Sequence, residues 1–93
     1  MKPTLQKQID EMTEDELKEV LRRDFVRKLT GYRLTDDTYK KKYKMDFERF
    51  QKANVVEKQN YSFEVESDAQ EWELAIDGIE TVKKKLKEIS GGD

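Results

Sequence analysis

The clearest periodic pattern of apolar and polar residues begins at Thr13. Thr13 and Glu16 have the spacing of a capping box, in which each side chain satisfies a free backbone N–H of the first helical turn. Apolar residues then recur at helical spacing, and Gly31 is of the residue type that commonly ends a helix. The pattern predicts a helix over residues 13–30. Its apolar positions are Leu17, Val20, Leu21, Phe25, Val26 and Leu29.

A second pattern begins at Thr35 and places aromatic residues on one face. The aromatic positions recur three or four residues apart, as on one side of a helix, and predict a helix over residues 35–53. Asp46 is also a good N-cap, so a break into two helices near this residue stays open. The aromatic positions are Tyr39, Tyr43, Phe47 and Phe50.

The last helical pattern follows Ser67, which is another good N-cap. It predicts a helix over residues 67–89. Residues 61–66 alternate apolar and polar like a strand, but a single short strand has nothing to pair with. We therefore expect an extended connector over residues 57–66. The apolar face of the last helix consists of Trp72, Ala75, Ile76, Ile79, Val82, Leu86 and Ile89.

These elements predict an all-α fold in which the second and third helices pack antiparallel. The aromatic stripe would pack against one face of the last helix, at Trp72, Ile76, Ile79 and Val82. The predicted organisation is a flexible arm at 1–12, a single helical domain at 13–90 and a disordered tail at 91–93.

Two residues of the last helix have more than one interpretation. Core packing is the default for Trp72, because a chain with only 34% hydrophobic residues can hardly spare its largest side chain. The sharper alternative is a hot spot for a partner. Gly78 costs about 1 kcal/mol relative to Ala inside a helix. It therefore indicates that another helix, from this chain or a partner, approaches closely.

The first helix carries apolar residues on two sides, which is more than one neighbouring helix can cover. Homodimerisation, or insertion into a groove of a partner, would bury the surplus. The residues assigned to this contact are Leu17, Leu21, Phe25, Val26 and Leu29.

Charge is distributed in blocks along the chain. Residues 22–52 carry eleven Lys and Arg against five acids, net +6, whereas residues 53–82 carry one Lys against eight acids, net -7. The acidic block supplies further candidate partner-binding residues, which are Glu64, Glu66, Glu73, Asp77 and Glu80. The basic block suggests nucleic-acid binding as an alternative. Its candidate residues are Lys40, Lys41, Lys42, Lys44 and Arg49.

Catalytic chemistry has little support in the sequence. The chain has no Cys and no His, and it has no Gly-rich phosphate loop. Oxygen ligands at Glu64, Glu66 and Asp68 suit a hard cation, but calcium-loop spacing is absent and acids at a helix start have a structural reason. We therefore predict no enzyme activity, cofactor or metal. We also expect a cytoplasmic protein, because the chain has no Cys and its first residues lack the apolar segment of a signal peptide. We expect no membrane contact, since no apolar run approaches the roughly 20 residues of a membrane span.

Three segments, residues 42–50, 61–66 and 71–73, carry a resemblance to a known group. Together they resemble small charged helical antitoxin components of prokaryotic toxin–antitoxin modules. The resemblance implies tight binding to a cognate toxin and no catalytic residues. In similar proteins we expect a Gly where this sequence has Lys44. The leading hypothesis is a non-catalytic, antitoxin-like module that neutralises or regulates a protein partner. The alternatives are a nucleic-acid-binding accessory protein, or an acidic inhibitor that mimics nucleic acid.

Overall fold

The computed structural model describes residues 13–91, which form four helices and no strand. The helices are α1 (Glu14–Tyr43), α2 (Phe47–Lys52), α3 (Val55–Lys58) and α4 (Phe63–Ile89). The all-α prediction is confirmed. The arm predicted at 1–12 and the last two residues of the predicted tail lie outside the described residues.

Helix α1 begins at the capping box and continues past its predicted end. The Thr13 hydroxyl accepts a hydrogen bond from the Glu16 N–H, and the Glu16 carboxylate accepts one from the Thr13 N–H, each at 3.1 Å. Gly31 does not end the helix, and Thr35 does not begin another. Instead the Thr35 hydroxyl donates to the Gly31 carbonyl within one continuous helix. The face packed against α4 continues through this region, and its burial outweighs the roughly 1 kcal/mol cost of a helical glycine.

The predicted helix over 35–53 is broken as the Asp46 alternative allowed. Helix α1 ends at Tyr43, and its C-cap residue Lys44 has a left-handed backbone with φ of 58°. The Asp46 carboxylate then accepts a hydrogen bond of 2.9 Å from the Arg49 N–H and caps α2. The turn directs α2 back against α4, so the aromatic residues on either side of the break still meet.

The extended connector predicted at 57–66 is wrong for most of its length. Residues 55–58 form α3, and α4 begins at Phe63, capped by the Ser62 hydroxyl, rather than after Ser67. Of the three apolar residues in the alternation at 61–66, Val65 is buried on the helical face, whereas Tyr61 and Phe63 are 59% and 85% exposed. Only the short link before α4 is non-helical, with Asn60 and Tyr61 both left-handed.

Helices α1 and α4 form an antiparallel hairpin along a seam with alternating three- and four-residue spacing, as in a coiled coil. On α1 the buried and half-buried seam residues include Phe25, Leu29, Tyr32, Asp36, Tyr39 and Tyr43. On α4 they include Val65, Asp68, Trp72, Ala75, Ile79, Val82 and Leu86.

The core lies at the end of the hairpin where α2 and α3 cover the seam. Trp72 is fully buried, which confirms its interpretation as a core residue. Four aromatic rings surround it with centroid distances of 5.0–5.9 Å, a favourable range for aromatic pairs. These rings are Tyr39, Tyr43, Phe47 and Phe50, the stripe that was predicted to pack there. Ile76 also packs against this core, whereas Ile79 and Val82 lie farther along the α1–α4 seam.

Gly78 explains how closely the two long helices approach. A Cβ atom placed on Gly78 would lie 2.6 Å from ring carbons of Tyr32, well inside van der Waals contact. The close approach predicted at Gly78 is therefore confirmed, and the neighbour belongs to the same chain. The resulting molecule is long and thin, 56 × 35 × 16 Å, with little interior beyond the aromatic core.

Candidate partner-binding surfaces

Polar contacts between α1 and α4 use several residues that the sequence offered as binding candidates. Lys42 donates hydrogen bonds to Glu64 and Asp68, and the Tyr43 hydroxyl donates to Asp68 at 2.6 Å. Burial acts to raise the pKa of Asp68, but these bonds outweigh it and hold the pKa below the ordinary value of 3.8. Asp68 is thus a charged acceptor that fixes the pairing of the helices.

Two tyrosines reinforce the same contact. Burial and then the hydrogen bond to Asp68 raise the pKa of Tyr43 to about 12. The Tyr39 hydroxyl donates to Glu71 at 2.6 Å, and this bond is the main reason that the pKa of Tyr39 is also raised. Both tyrosines are therefore neutral donors to carboxylates across the seam.

Asp36 places a carboxylate directly in the seam. The Trp72 indole N–H donates to it at 2.8 Å, and Lys40 forms an ion pair with it at 3.0 Å. Asp36 is only 8% exposed, so both contacts compensate its burial. A polar residue at a seam position helps to specify which layers of two helices pair.

The basic candidates divide into two groups. Lys40 and Lys42 form ion pairs with carboxylates of the fold, whereas Lys41, Lys44 and Arg49 lie exposed on α1, on the following turn and on α2. Part of the positive charge of α1 is therefore neutralised within the molecule, and the field available to attract phosphate is reduced.

The acidic candidates also divide. Glu73, Asp77 and Glu80 line an open groove between α1, α2 and α4, whereas Glu64 faces Lys42 and Glu66 is exposed on the first turn of α4. The groove has a partly apolar lining and one cation, Lys40. Its lining residues are Asp36, Lys40, Asp46, Phe47, Glu48, Gln51, Glu73, Ile76, Asp77 and Glu80.

Sequence reasoning missed the contribution of α2 to this groove. Asp46 and Glu48 lie in the basic block of the sequence, yet the turn at Lys44 places them opposite Glu73 and Asp77. The N-cap at Asp46 was the available signal, because a chain reversal there brings α2 onto α4.

No group of three or more acidic residues within 13–91 is arranged to hold a metal ion. Within the same range, no helix combines the length and the apolar character needed to cross a bilayer.

The candidate contact on the first helix has two parts. Leu17, Leu21 and Val26 are 40%, 39% and 47% exposed, and Val20 beside them is 51% exposed. Phe25 and Leu29 are instead half-buried at seam positions toward α4. The exposed part lies in the first half of α1, away from the aromatic core and the acidic groove.

The fold and these surfaces define a helical-hairpin protein. An acidic groove lies at its closed end, where α2 and α3 connect the two long helices, and an apolar patch lies toward its open end, where α1 begins and α4 ends. Comparison of the chain with protein-family models, with curated proteins and with solved structures found no match.

Proposed function

We propose that this protein is a non-catalytic module that binds and restrains a protein partner, in the manner of an antitoxin, through its acidic groove. The observation that carries the proposal is the composition of the groove. Six carboxylates surround the partly apolar lining formed by Phe47 and Ile76, and Lys40 is the one cation among the lining residues.

This chemistry fits a basic segment of a partner with an apolar or aromatic anchor. Opposite charges across an interface accelerate association and select against wrong partners, while the apolar contact adds affinity. A toxin surface that ordinarily binds phosphates has this character, so the groove also suits an acidic inhibitor that mimics nucleic acid.

The absence of Cys and His from the sequence agrees with a module that acts by occupancy rather than by catalysis. The paired state of Lys40 and Lys42 favours a protein partner over direct nucleic-acid binding, since it leaves fewer cations for phosphate.

The first experiment is affinity capture of a partner from native lysate, followed by calorimetric titration with that purified partner. The Asp77→Asn, Glu80→Gln double variant removes two groove charges while keeping side-chain size. We expect it to weaken binding at least about tenfold, because the opposing cations lose their carboxylates.

The matched control is Glu57→Gln, Glu88→Gln, which removes two exposed charges outside the groove. It should bind like the unaltered protein. Equal weakening by both double variants would assign the effect to net charge and contradict a groove site. Capture of nucleic acid that is lost at high salt would instead favour Lys41, Lys44 and Arg49, and an empty eluate would contradict the partner.

A further inference from the structure

The exposed apolar patch on α1 lies one turn before the half-buried seam residue Phe25 and flanks the line of the seam. Leu17, Val20 and Leu21 are 39–51% exposed, whereas the neighbouring seam residue Phe25 is half-buried. A shallow concavity at this place is lined by Val20, Leu21, Arg23, Asp24 and Arg27. The patch therefore combines apolar side chains with charged side chains at its border.

The bordering charged residues lie at equal sequence distances on either side of Leu21, and the two residues at each distance have opposite charges. Glu14 and Lys18 form an ion pair of 3.6 Å before it, and Asp24 and Lys28 form one of 3.2 Å after it. Glu14 and Lys28 are each seven residues from Leu21, and Lys18 and Asp24 are each three residues from it. At each of these two distances, an acidic residue on one side of Leu21 in the sequence is therefore matched by a basic residue on the other side.

Such a pattern is complementary to itself when reversed. If two α1 helices lie antiparallel with Leu21 against Leu21, Glu14 of each copy faces Lys28 of the other, and Lys18 faces Asp24. In a parallel pair every one of these residues would face its own like charge. A two-fold interface uses the same patch on both subunits, so this antiparallel match is the arrangement that a homodimer requires.

We propose that a second copy of this chain covers the patch, as an antiparallel α1–α1 pair centred on Leu21. This inference is independent of the proposed function, because the groove lies on the other half of α1, around Asp36 and Lys40. Each subunit of the dimer would keep its groove open to a partner.

Sedimentation equilibrium of the purified full chain, over a concentration series to several hundred micromolar, tests the proposal. The variants Glu14→Lys and Lys28→Glu should each dimerise about tenfold more weakly, since each turns two attractive contacts into repulsive ones. An equimolar mixture of the two variants should recover the lost affinity, because the substituted position 14 of one chain then faces the substituted position 28 of the other with opposite charge.

Leu21→Asp should abolish the dimer, whereas Leu34→Asp should not. Leu34 is 63% exposed on the same helix but outside the patch, which makes it a matched control. The charge variants leave the apolar residues intact, so the proposal stays testable even if Leu21→Asp perturbs folding. The groove variant Asp77→Asn, Glu80→Gln should dimerise normally, which separates this test from that of partner binding.

A chain that stays monomeric throughout the series would overturn the proposal. So would charge variants that match the unaltered protein, or a mixture no stronger than its components. If Leu21→Asp folds and leaves the dimer intact, another surface forms it.

Discussion

Lys44 ends α1 with a left-handed backbone, a conformation that an L-residue with a Cβ adopts at a cost of about 1–2 kcal/mol. Lys44→Gly should therefore raise the free energy of unfolding by up to about 1 kcal/mol, after allowance for the greater freedom of Gly in the unfolded chain. Lys41→Gly removes the same charge from the last turn of α1 and should destabilise by a similar amount. Urea unfolding followed by circular dichroism would measure both, and a destabilised Lys44→Gly variant would contradict the prediction.

The same residue bears on the resemblance to antitoxin components, which implied a glycine at this position. The left-handed backbone gives a physical reason for that preference. The antitoxin assignment itself remains a proposal.

Tyr43 links stability to alkaline pH. Its pKa is 10.0 ordinarily and about 12 in the folded protein, so the folded state favours the protonated hydroxyl. The stabilisation is complete below pH 10 and is lost as the pH rises from 10 toward 12. Tyr43→Phe should be less stable than the unaltered protein at about pH 8, and the difference should shrink above about pH 10. Urea unfolding at a series of pH values checks this, and a constant difference would refute it.

At the scale of the helix, replacement by alanine should have opposite effects on stability at the two glycines that are flanked by helical residues. Gly78→Ala should destabilise by about 1–3 kcal/mol, because its Cβ would meet the Tyr32 ring and force the ring out of the seam. Gly31→Ala should stabilise by up to about 1 kcal/mol, since no neighbouring atom lies within 4 Å of its Cβ. Thermal unfolding of the two variants side by side makes the comparison. A stabilised Gly78→Ala would mean that the two helices separate at little cost.

Only some of the helix starts could be predicted from the sequence, and the continuity of the helices could not. The capping box at Thr13 and the N-cap at Asp46 are local hydrogen-bonding devices, so a few residues of sequence specify them. Gly31 and Ser67 carry equally good local signals, yet the structure uses neither as a boundary. The packing of α1 against α4 determines that the helices continue through these two residues. A local sequence pattern carries no information about that packing.

At the scale of the whole molecule, the acidic block could be predicted but its groove could not. Glu73, Asp77 and Glu80 were identified from charge alone. Asp46 and Glu48 join them only because α2 folds back after Lys44. The two apolar sides of the first helix predict that part of it stays exposed, while the half-buried positions of Phe25 and Leu29 depend on the pairing of α1 with α4.

Because the seam is antiparallel, contacts farther from the connection between α1 and α4 join residues that are farther apart in sequence. Tyr43 bonds Asp68 across 25 residues, Trp72 bonds Asp36 across 36, and Tyr32 meets Gly78 farther out still. Each inner contact shortens the loop that the next one must close, which lowers its entropic cost. We therefore expect the chain to fold like a zipper that starts beside the aromatic core and proceeds outward.

Val65 and Val82 allow a matched kinetic test, because they are 8% and 5% exposed at the two ends of this sequence of contacts. In stopped-flow experiments that follow Trp72 fluorescence, Val65→Ala should mainly slow folding, whereas Val82→Ala should mainly speed unfolding. The reverse assignment would place the folding nucleus at the open end. With the expected order, the open end unzips first, so the half of α1 assigned to pairing with a second copy is also the half that a dimer would protect from opening.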